Sequence, residues 1–147
     1  MKKLTLGLLA CWLALQGFAA EETKWLTDLP KAQAEAKKDG KLVVMDFTGS
    51  DWCPPCKALH KNVLTSSEFE AYAAKNLILV EVDFPRQKPQ ADDLKKANKA
   101  LAAKYKIEGY PTVILLTAEG KELNKSVGYG GAKPDEFIAK LEEAKKK

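Results

Sequence analysis

Hydrophobic positions along this chain follow two different patterns. Positions 42–47 and 77–83 are near-continuous apolar runs rich in β-branched residues, which is typical of central strands covered on both faces. Positions 91–105 instead carry apolar residues at spacings of three or four, which predicts an amphipathic helix. Strand-like and helix-like segments therefore succeed one another along the chain.

Shorter signals predict the remaining elements. A first short strand is expected at 25–26, followed by a helix from about 28 to 39 with a proline in its first turn and a glycine after its end. A strand at 113–116 leads through a hairpin turn to 123–127, and a last helix begins near 134. This order predicts an α/β fold with a central mixed sheet flanked by helices.

Length and charge limit what the chain can be. With 147 residues and 46% hydrophobic content, we expect a single domain over 21–147. The net charge of +4 is spread along the chain, and no group of lysines and arginines is interleaved with aromatic residues. We therefore predict no nucleic-acid partner, and we expect a monomer because no dimerisation module is recognisable.

The first twenty residues have the layout of a cleaved export signal. Two lysines precede an apolar run at 4–15, and small residues follow at 17–20. The run is shorter than the roughly 20 residues that span a bilayer. We expect a periplasmic or secreted protein. In the alternative interpretation, the segment ending at Cys11 resembles the lipid-attachment box of bacterial lipoproteins, and the protein is anchored through Cys11.

A cysteine pair follows the first long strand. Cys53 and Cys56 are separated by two prolines, and Cys53 falls at a predicted helix N-terminus, where backbone N–H groups favour a thiolate. A structural zinc site needs four ligands, whereas the chain has one such pair and a single histidine. Haem attachment needs a histidine where Lys57 stands. A redox dithiol is therefore predicted, with no metal and no cofactor. The alternative is a purely structural disulfide, which would stabilise the folded protein little because the loop it closes is so small.

Residues beside the cysteines refine this prediction. Pro54 and Pro55 cannot donate a hydrogen bond to the Cys53 sulfur, so the first donors are the N–H groups of Cys56 and its successor. We therefore expect the Cys53 thiolate to be less stabilised than it would be with a Gly-Pro linker. The reduction potential of the pair should then lie away from those of the strongest oxidants. His60 lies seven residues beyond Cys53, about 10 Å along a helix, and is given a surface or packing role.

From about residue 25 to its end, the chain resembles the thioredoxin family. The resemblance is carried by the order of elements, by Trp-Cys-x-x-Cys after a strand that contains an aspartate, and by Gly-Tyr-Pro-Thr before the next-to-last strand. It implies a three-layer thioredoxin-like fold. It also implies that Cys53, at the exposed end of the helix, attacks a substrate disulfide and that Cys56, one turn inside, resolves the mixed disulfide.

Further site residues follow from the same resemblance. The Tyr110–Pro111 bond is expected to be cis, and Trp52, Tyr110 and Pro111 are expected to contact the substrate. Asp46 matches the family's buried acid, which exchanges a proton with Cys56. The family often has a lysine near this acid on the neighbouring strand, and we assign that position to Leu79, which leaves Asp46 without a compensating charge.

These features predict an exported thiol-disulfide oxidoreductase that acts on protein disulfides. Reduction is the favoured direction, with electrons from a membrane thiol donor, because the domain is small and lacks the helical insertion of the periplasmic oxidants. The segment 84–104 is longer than in the smallest thioredoxins, which suggests a partner surface. The alternative is a redox-inactive binding module on the same fold, such as a metal or peptide chaperone.

Overall fold

A computed structural model describes residues 23–146, which form one five-stranded sheet with helices on both faces. The strands are β1 (Trp25–Leu26), β2 (Leu42–Thr48), β3 (Leu77–Asp83), β4 (Thr112–Leu116) and β5 (Glu122–Val127). The helices are α1 (Leu29–Asp39), α2 (Pro54–Leu59), α3 (Ser67–Asn76), α4 (Asp92–Lys104) and α5 (Pro134–Lys145), and a π-helical segment, His60–Leu64, continues α2. The predicted export signal at 1–20 and Cys11 lie outside the described residues. Within 23–146, no helix is both long and apolar enough to cross a membrane.

The sheet is mixed, as predicted. Its strand order is β1-β3-β2-β4-β5. The central strand β2 pairs in parallel with β3 and antiparallel with β4. Because β2 and β3, which form the two longest apolar runs, are parallel, the carboxyl ends of both lie at the same edge of the sheet. The cysteine turn follows β2 at that edge.

Alternate side chains of β2 enter two separate cores. Val43, Met45 and Phe47 are fully buried with α1 residues and with Tyr105, which follows α4. Val44 is fully buried on the opposite face, with residues of α2, the π-helical segment, α3 and α5. The predicted three-layer arrangement is confirmed. Asp46 shares its face of the strand with Val44, so its carboxyl group points toward the layer that contains α2.

Local sequence signals mark both the start and the end of α1. Asp28 accepts a hydrogen bond from the Lys31 N–H at 2.9 Å and so caps α1. Gly40 ends α1 in the left-handed region with φ of 65°. The helix that begins after Cys53 does not stay regular and widens into a π-helical turn at His60–Leu64. Both Val63 and Leu64 are buried there, and this pair of adjacent core residues accompanies the wider turn.

Candidate functional site

The cysteine turn is held by backbone hydrogen bonds at the end of β2. The N–H groups of Trp52 and Cys53 donate to the carbonyl oxygen of Gly49 at 3.2 and 2.9 Å. Cys53 is the N-cap residue of α2, and its sulfur accepts the Cys56 N–H at 3.4 Å. The predicted first donor is thereby confirmed. The Cys53 sulfur lies where the orphan N–H groups of a helix favour negative charge.

Cys53 and Cys56 form a disulfide, with their Cα atoms 5.3 Å apart. Each residue is only 3% exposed. Cys53 was expected at an exposed helix end, but it is no more accessible than Cys56. The Cys53 sulfur turns back over the first turn of α2 to bond Cys56, which lies inside that turn.

Three aromatic side chains, which we call the aromatic rim, lie beside the disulfide: Trp52, Phe84 and Tyr110. The indole Nε1 of Trp52 donates to the Phe84 carbonyl oxygen at 2.7 Å. The ring of Tyr110 lies 5.8 Å from that of Trp52 and 5.4 Å from that of Phe84, measured between centroids. The Tyr110–Pro111 peptide bond is cis, as predicted. Two of the three predicted substrate-binding residues, Trp52 and Tyr110, therefore contact each other directly, and Pro111 follows Tyr110 in the chain.

Gly49 makes room for this rim, and the sequence analysis did not single it out. A Cβ atom at Gly49 would collide with the indole of Trp52. Its backbone is not in the left-handed region, so the requirement is for space and not for an unusual conformation. A glycine directly after a buried strand is a weak signal, because many loops begin that way.

Asp51 joins the cysteine turn to the loop after β3. Its carboxylate accepts the backbone N–H groups of Arg86, Gln87 and Lys88 at distances between 2.7 and 3.2 Å. These bonds, first among them the one from Arg86, lower the pKa of Asp51 to about 2. This role was not predictable from the sequence, since the donors and the acceptor are separated by at least 35 residues.

On the other side of the disulfide is a cleft of about 500 Å³ that Cys56 lines. We call it the acidic cleft after three carboxyl groups in its lining, those of Asp46, Glu81 and Asp83. His60, Lys57 and Lys88 line it as well. Asp46 is 5% exposed, and its Oδ1 finds no hydrogen-bond partner among residues 23–146. Burial, followed by the charges of Glu81 and Asp83, raises the pKa of Asp46 to about 7. The predicted burial of Asp46 is confirmed.

The predicted position of the family's lysine was wrong. In the parallel register of β2 and β3, Asp46 lies opposite Glu81, whereas Leu79 lies opposite Val44 and is part of the core. Burial and the neighbouring Asp83 raise the pKa of Glu81. An acidic residue therefore stands beside Asp46. Counting along the two runs would have revealed this, since Asp46 and Glu81 are each the fifth residue of their strands.

His60 is exposed, as predicted, and it also lines the acidic cleft with Cys56 and Asp46. It begins the π-helical segment. The described residues contain no group of three or more histidine, cysteine, aspartate or glutamate side chains arranged to hold a metal ion.

Known proteins resemble this chain in sequence and in structure. The family model described as "Thioredoxin-like domain" matches residues 29–145. The chain is 35% identical over 128 residues to the "Disulfide bond reductase DsbH" of Chlamydia pneumoniae, covering 87% of this chain and 76% of that protein. It is 36% identical over 107 residues to an H-type thioredoxin of Fagopyrum esculentum, covering 73% and 75%. The solved structure of a "DsbH Oxidoreductase" superposes with a TM-score of 0.80 at 34% identity, covering 89% of this chain and 90% of that one.

Fold, cysteine pair and similarity agree on the class of protein. The chain belongs to the thioredoxin-like family. It is a thiol-disulfide oxidoreductase of that family.

Proposed function

We propose that this protein reduces disulfide bonds in exported polypeptides, with Cys53 as the attacking sulfur and Cys56 as the resolving one. The observation that carries the proposal is the bonded pair at the start of α2, where the Cys53 sulfur accepts the Cys56 N–H at 3.4 Å. A sulfur in that position is stabilised as a thiolate once the disulfide is reduced. Since one chain carries both thiols, a monomer suffices.

The exchange conserves electrons and protons. The Cys53 thiolate of the reduced protein attacks one sulfur of the substrate disulfide, and the other substrate sulfur leaves and takes up a proton. Cys56 then loses its proton and attacks the Cys53 sulfur, which releases the second substrate thiol. Two electrons have passed to the substrate, and the Cys53–Cys56 disulfide described above is the product.

Asp46 is proposed to accept the proton that Cys56 loses. Both residues line the acidic cleft, and a carboxyl group with a pKa raised to about 7 can hold or release a proton near neutral pH. Its unpartnered Oδ1 leaves one oxygen for that proton or for a connecting water.

The substrate segment is proposed to contact Trp52, Tyr110 and Pro111. Trp52 and Tyr110 are only partly buried, and the contacts within the aromatic rim fix both rings. Aromatic side chains held in this way offer contact area without a large loss of conformational entropy on binding.

The proposed location is the periplasm, with the export signal at 1–20 removed, and the proposed electron source is a thiol donor at the membrane. A reductase outside the cytoplasm must receive electrons from across the membrane to turn over repeatedly. The direction is supported by the name of the Chlamydia relative, a disulfide bond reductase. The absence of N–H groups at Pro54 and Pro55 also limits thiolate stabilisation. We expect a reduction potential near the thioredoxin value of about −270 mV rather than the DsbA value of about −120 mV.

Turnover with a protein disulfide and an excess of a small dithiol tests the enzyme directly. The unaltered protein should accelerate reduction, and Cys53→Ser should return the rate to the uncatalysed background. Ala58→Ser, which adds a hydroxyl group further along α2 than the cysteines, is the control and should keep the rate of the unaltered protein. A protein that retained copper or zinc in one-to-one amounts and did not accelerate reduction would instead support the metal-chaperone alternative.

A further inference from the structure

We propose that Arg86 is a recognition point for a carboxylate of the partner polypeptide, beside the cysteine that is exchanged. The inference rests on the proposed function, because it concerns the partner of the same site. It concerns specificity and not the chemical step. Polypeptides with an aspartate or glutamate close to the target cysteine are the partners that this point would favour.

The guanidinium group of Arg86 lies over the Trp52 ring of the aromatic rim. The guanidinium carbon is 3.8 Å from the centre of the Trp52 ring, which is within the range of a cation–π contact. Trp52 is fixed in turn by its hydrogen bond to the Phe84 carbonyl oxygen. Because Trp52 directly precedes Cys53, the stacked guanidinium group lies at the edge of the cysteine turn.

The backbone that carries Arg86 is also fixed. Asp51 accepts the Arg86 N–H at 3.0 Å, and it accepts the next two N–H groups of the loop as well. The Arg86 side chain is nevertheless exposed. A charged group that is held in place before binding loses less side-chain entropy when a partner docks.

The guanidinium group keeps its hydrogen-bond donors available. Among residues 23–146, no carboxylate forms an ion pair with Arg86 and no acceptor takes a hydrogen bond from its side chain. The contact with Trp52 is not a hydrogen bond, so it does not occupy the N–H donors of the group. Asp51, the acidic residue bonded to its backbone, is already occupied by three N–H groups. A planar fork of free donors matches a carboxylate.

The neighbouring cations do not offer the same chemistry. Lys57 donates to the Asp51 carbonyl oxygen at 2.9 Å, and Lys88 donates to the Ser50 hydroxyl oxygen at 3.4 Å. Arg86 is also the one arginine in the sequence, and every other basic residue is lysine. The chain therefore has its single bidentate, permanently charged group stacked beside its attacking cysteine.

Three disulfide-linked peptides that differ only in one residue next to the cysteine test the inference. That residue is glutamate, glutamine or lysine, and kcat/KM for reduction is measured with each. The unaltered protein should prefer the glutamate peptide over the glutamine peptide about fivefold at low salt, and the lysine peptide should be the poorest. The preference should shrink at about 0.5 M salt, where exposed charges are screened.

Variants assign the preference to Arg86. Arg86→Gln should bring the glutamate-to-glutamine ratio close to one, and Arg86→Lys should retain part of it. Lys37→Gln, which removes an exposed positive charge from α1, should leave the ratio unchanged. A loss of the stack that only loosened the rim would lower kcat/KM for all peptides together and would not change their ratio.

The outcomes separate the two proposals. Equal kcat/KM for the glutamate and glutamine peptides in the unaltered protein would overturn the inference and leave the reductase in place. A preference that persists in Arg86→Gln would also overturn it. Failure to reduce any of the peptides would overturn the proposed function, and the inference with it.

Discussion

The two sides of the disulfide are built on opposite principles. On one side, the aromatic rim is made of rings in mutual contact, and the indole N–H of Trp52 has its acceptor. On the other side, the acidic cleft brings Asp46, Glu81 and Asp83 together, and one oxygen of Asp46 has no partner among residues 23–146. The rim is fixed by favourable contacts, whereas the cleft holds three carboxyl groups close together, with Lys57 and Lys88 also in its lining.

This difference suggests a division of labour. Side chains whose contacts are already formed suit the recognition of a partner, because they lose little conformational entropy when the partner docks. A buried carboxyl group with two acidic neighbours suits proton exchange, because burial and these neighbours move its pKa toward neutral pH. We therefore expect changes in the rim to alter stability and partner choice, and changes in the cleft to alter dependence on pH.

The largest expected effect comes from Asp46→Asn. A folded-state pKa of about 7 against 3.8 means that the folded protein binds more protons than the unfolded one between these values. The stability of the unaltered protein should fall as the pH rises from about 4 to about 7, by roughly 4 kcal/mol at most from this group, and stay level above. Asp46→Asn should remove this fall and be the more stable protein at about pH 8.

Urea unfolding of the disulfide form at several pH values measures this effect. Glu70→Gln, an exposed change on α3, is the matched control and should keep the slope of the unaltered protein. If Asp46→Asn showed the same fall in stability between pH 4 and 7, the assignment of that slope to Asp46 would be wrong.

The rim should respond most strongly to Gly49→Ala. The added methyl group collides with the Trp52 indole, and relief of such a collision typically costs about 1–3 kcal/mol. We expect a lower unfolding midpoint and a changed Trp52 fluorescence. Gly130→Ala is the control, because a Cβ there meets nothing within 4 Å. Equal stability of the two variants would show that the space beside Gly49 is not restrictive.

A smaller effect is expected from Glu81→Gln. Removing this negative charge from beside Asp46 favours the ionised form of Asp46, so the pKa of Asp46 should fall. The titration of the Asp46 carboxyl carbon by NMR measures the shift. A midpoint that stays in place, or moves to higher pH, would mean that Glu81 does not act on Asp46.

The smallest expected effect concerns the loop that carries Arg86. Asp51→Ala removes the acceptor of three backbone N–H groups, so the amides of Gln87 and Lys88 should exchange faster with solvent. Asp135→Ala, a change in the first turn of α5, should leave these amides unaffected. Unchanged exchange rates in Asp51→Ala would show that other contacts hold the loop.

The fold could be predicted in some detail because its signals are local. The continuous runs that became β2 and β3, and the Asp28 and Gly40 caps of α1, need only their neighbours in sequence to be interpreted. The π-helical turn at His60–Leu64 was not foreseen. It accompanies the burial of two successive residues, Val63 and Leu64, in one core, and that burial depends on the layers around them.

The site was predictable only in part, for the same physical reason. The cysteine pair and the burial of Asp46 follow from residues within one strand and one turn. The neighbour of Asp46 was misplaced at Leu79 because it depends on the register between two strands, although Glu81 occupies the matching fifth position. The contacts of Asp51 and Arg86 join segments far apart in sequence, and nothing local indicates them.

The order of attack by the two cysteines is tested most directly by trapping. Cys56→Ser and Cys53→Ser proteins are each incubated with a protein disulfide, quenched with acid, and examined by mass spectrometry without reductant. We predict a covalent mixed disulfide through Cys53 in the Cys56→Ser protein and none in the Cys53→Ser protein. Accumulation of the adduct through Cys56 instead, or no adduct in either variant, would contradict the account.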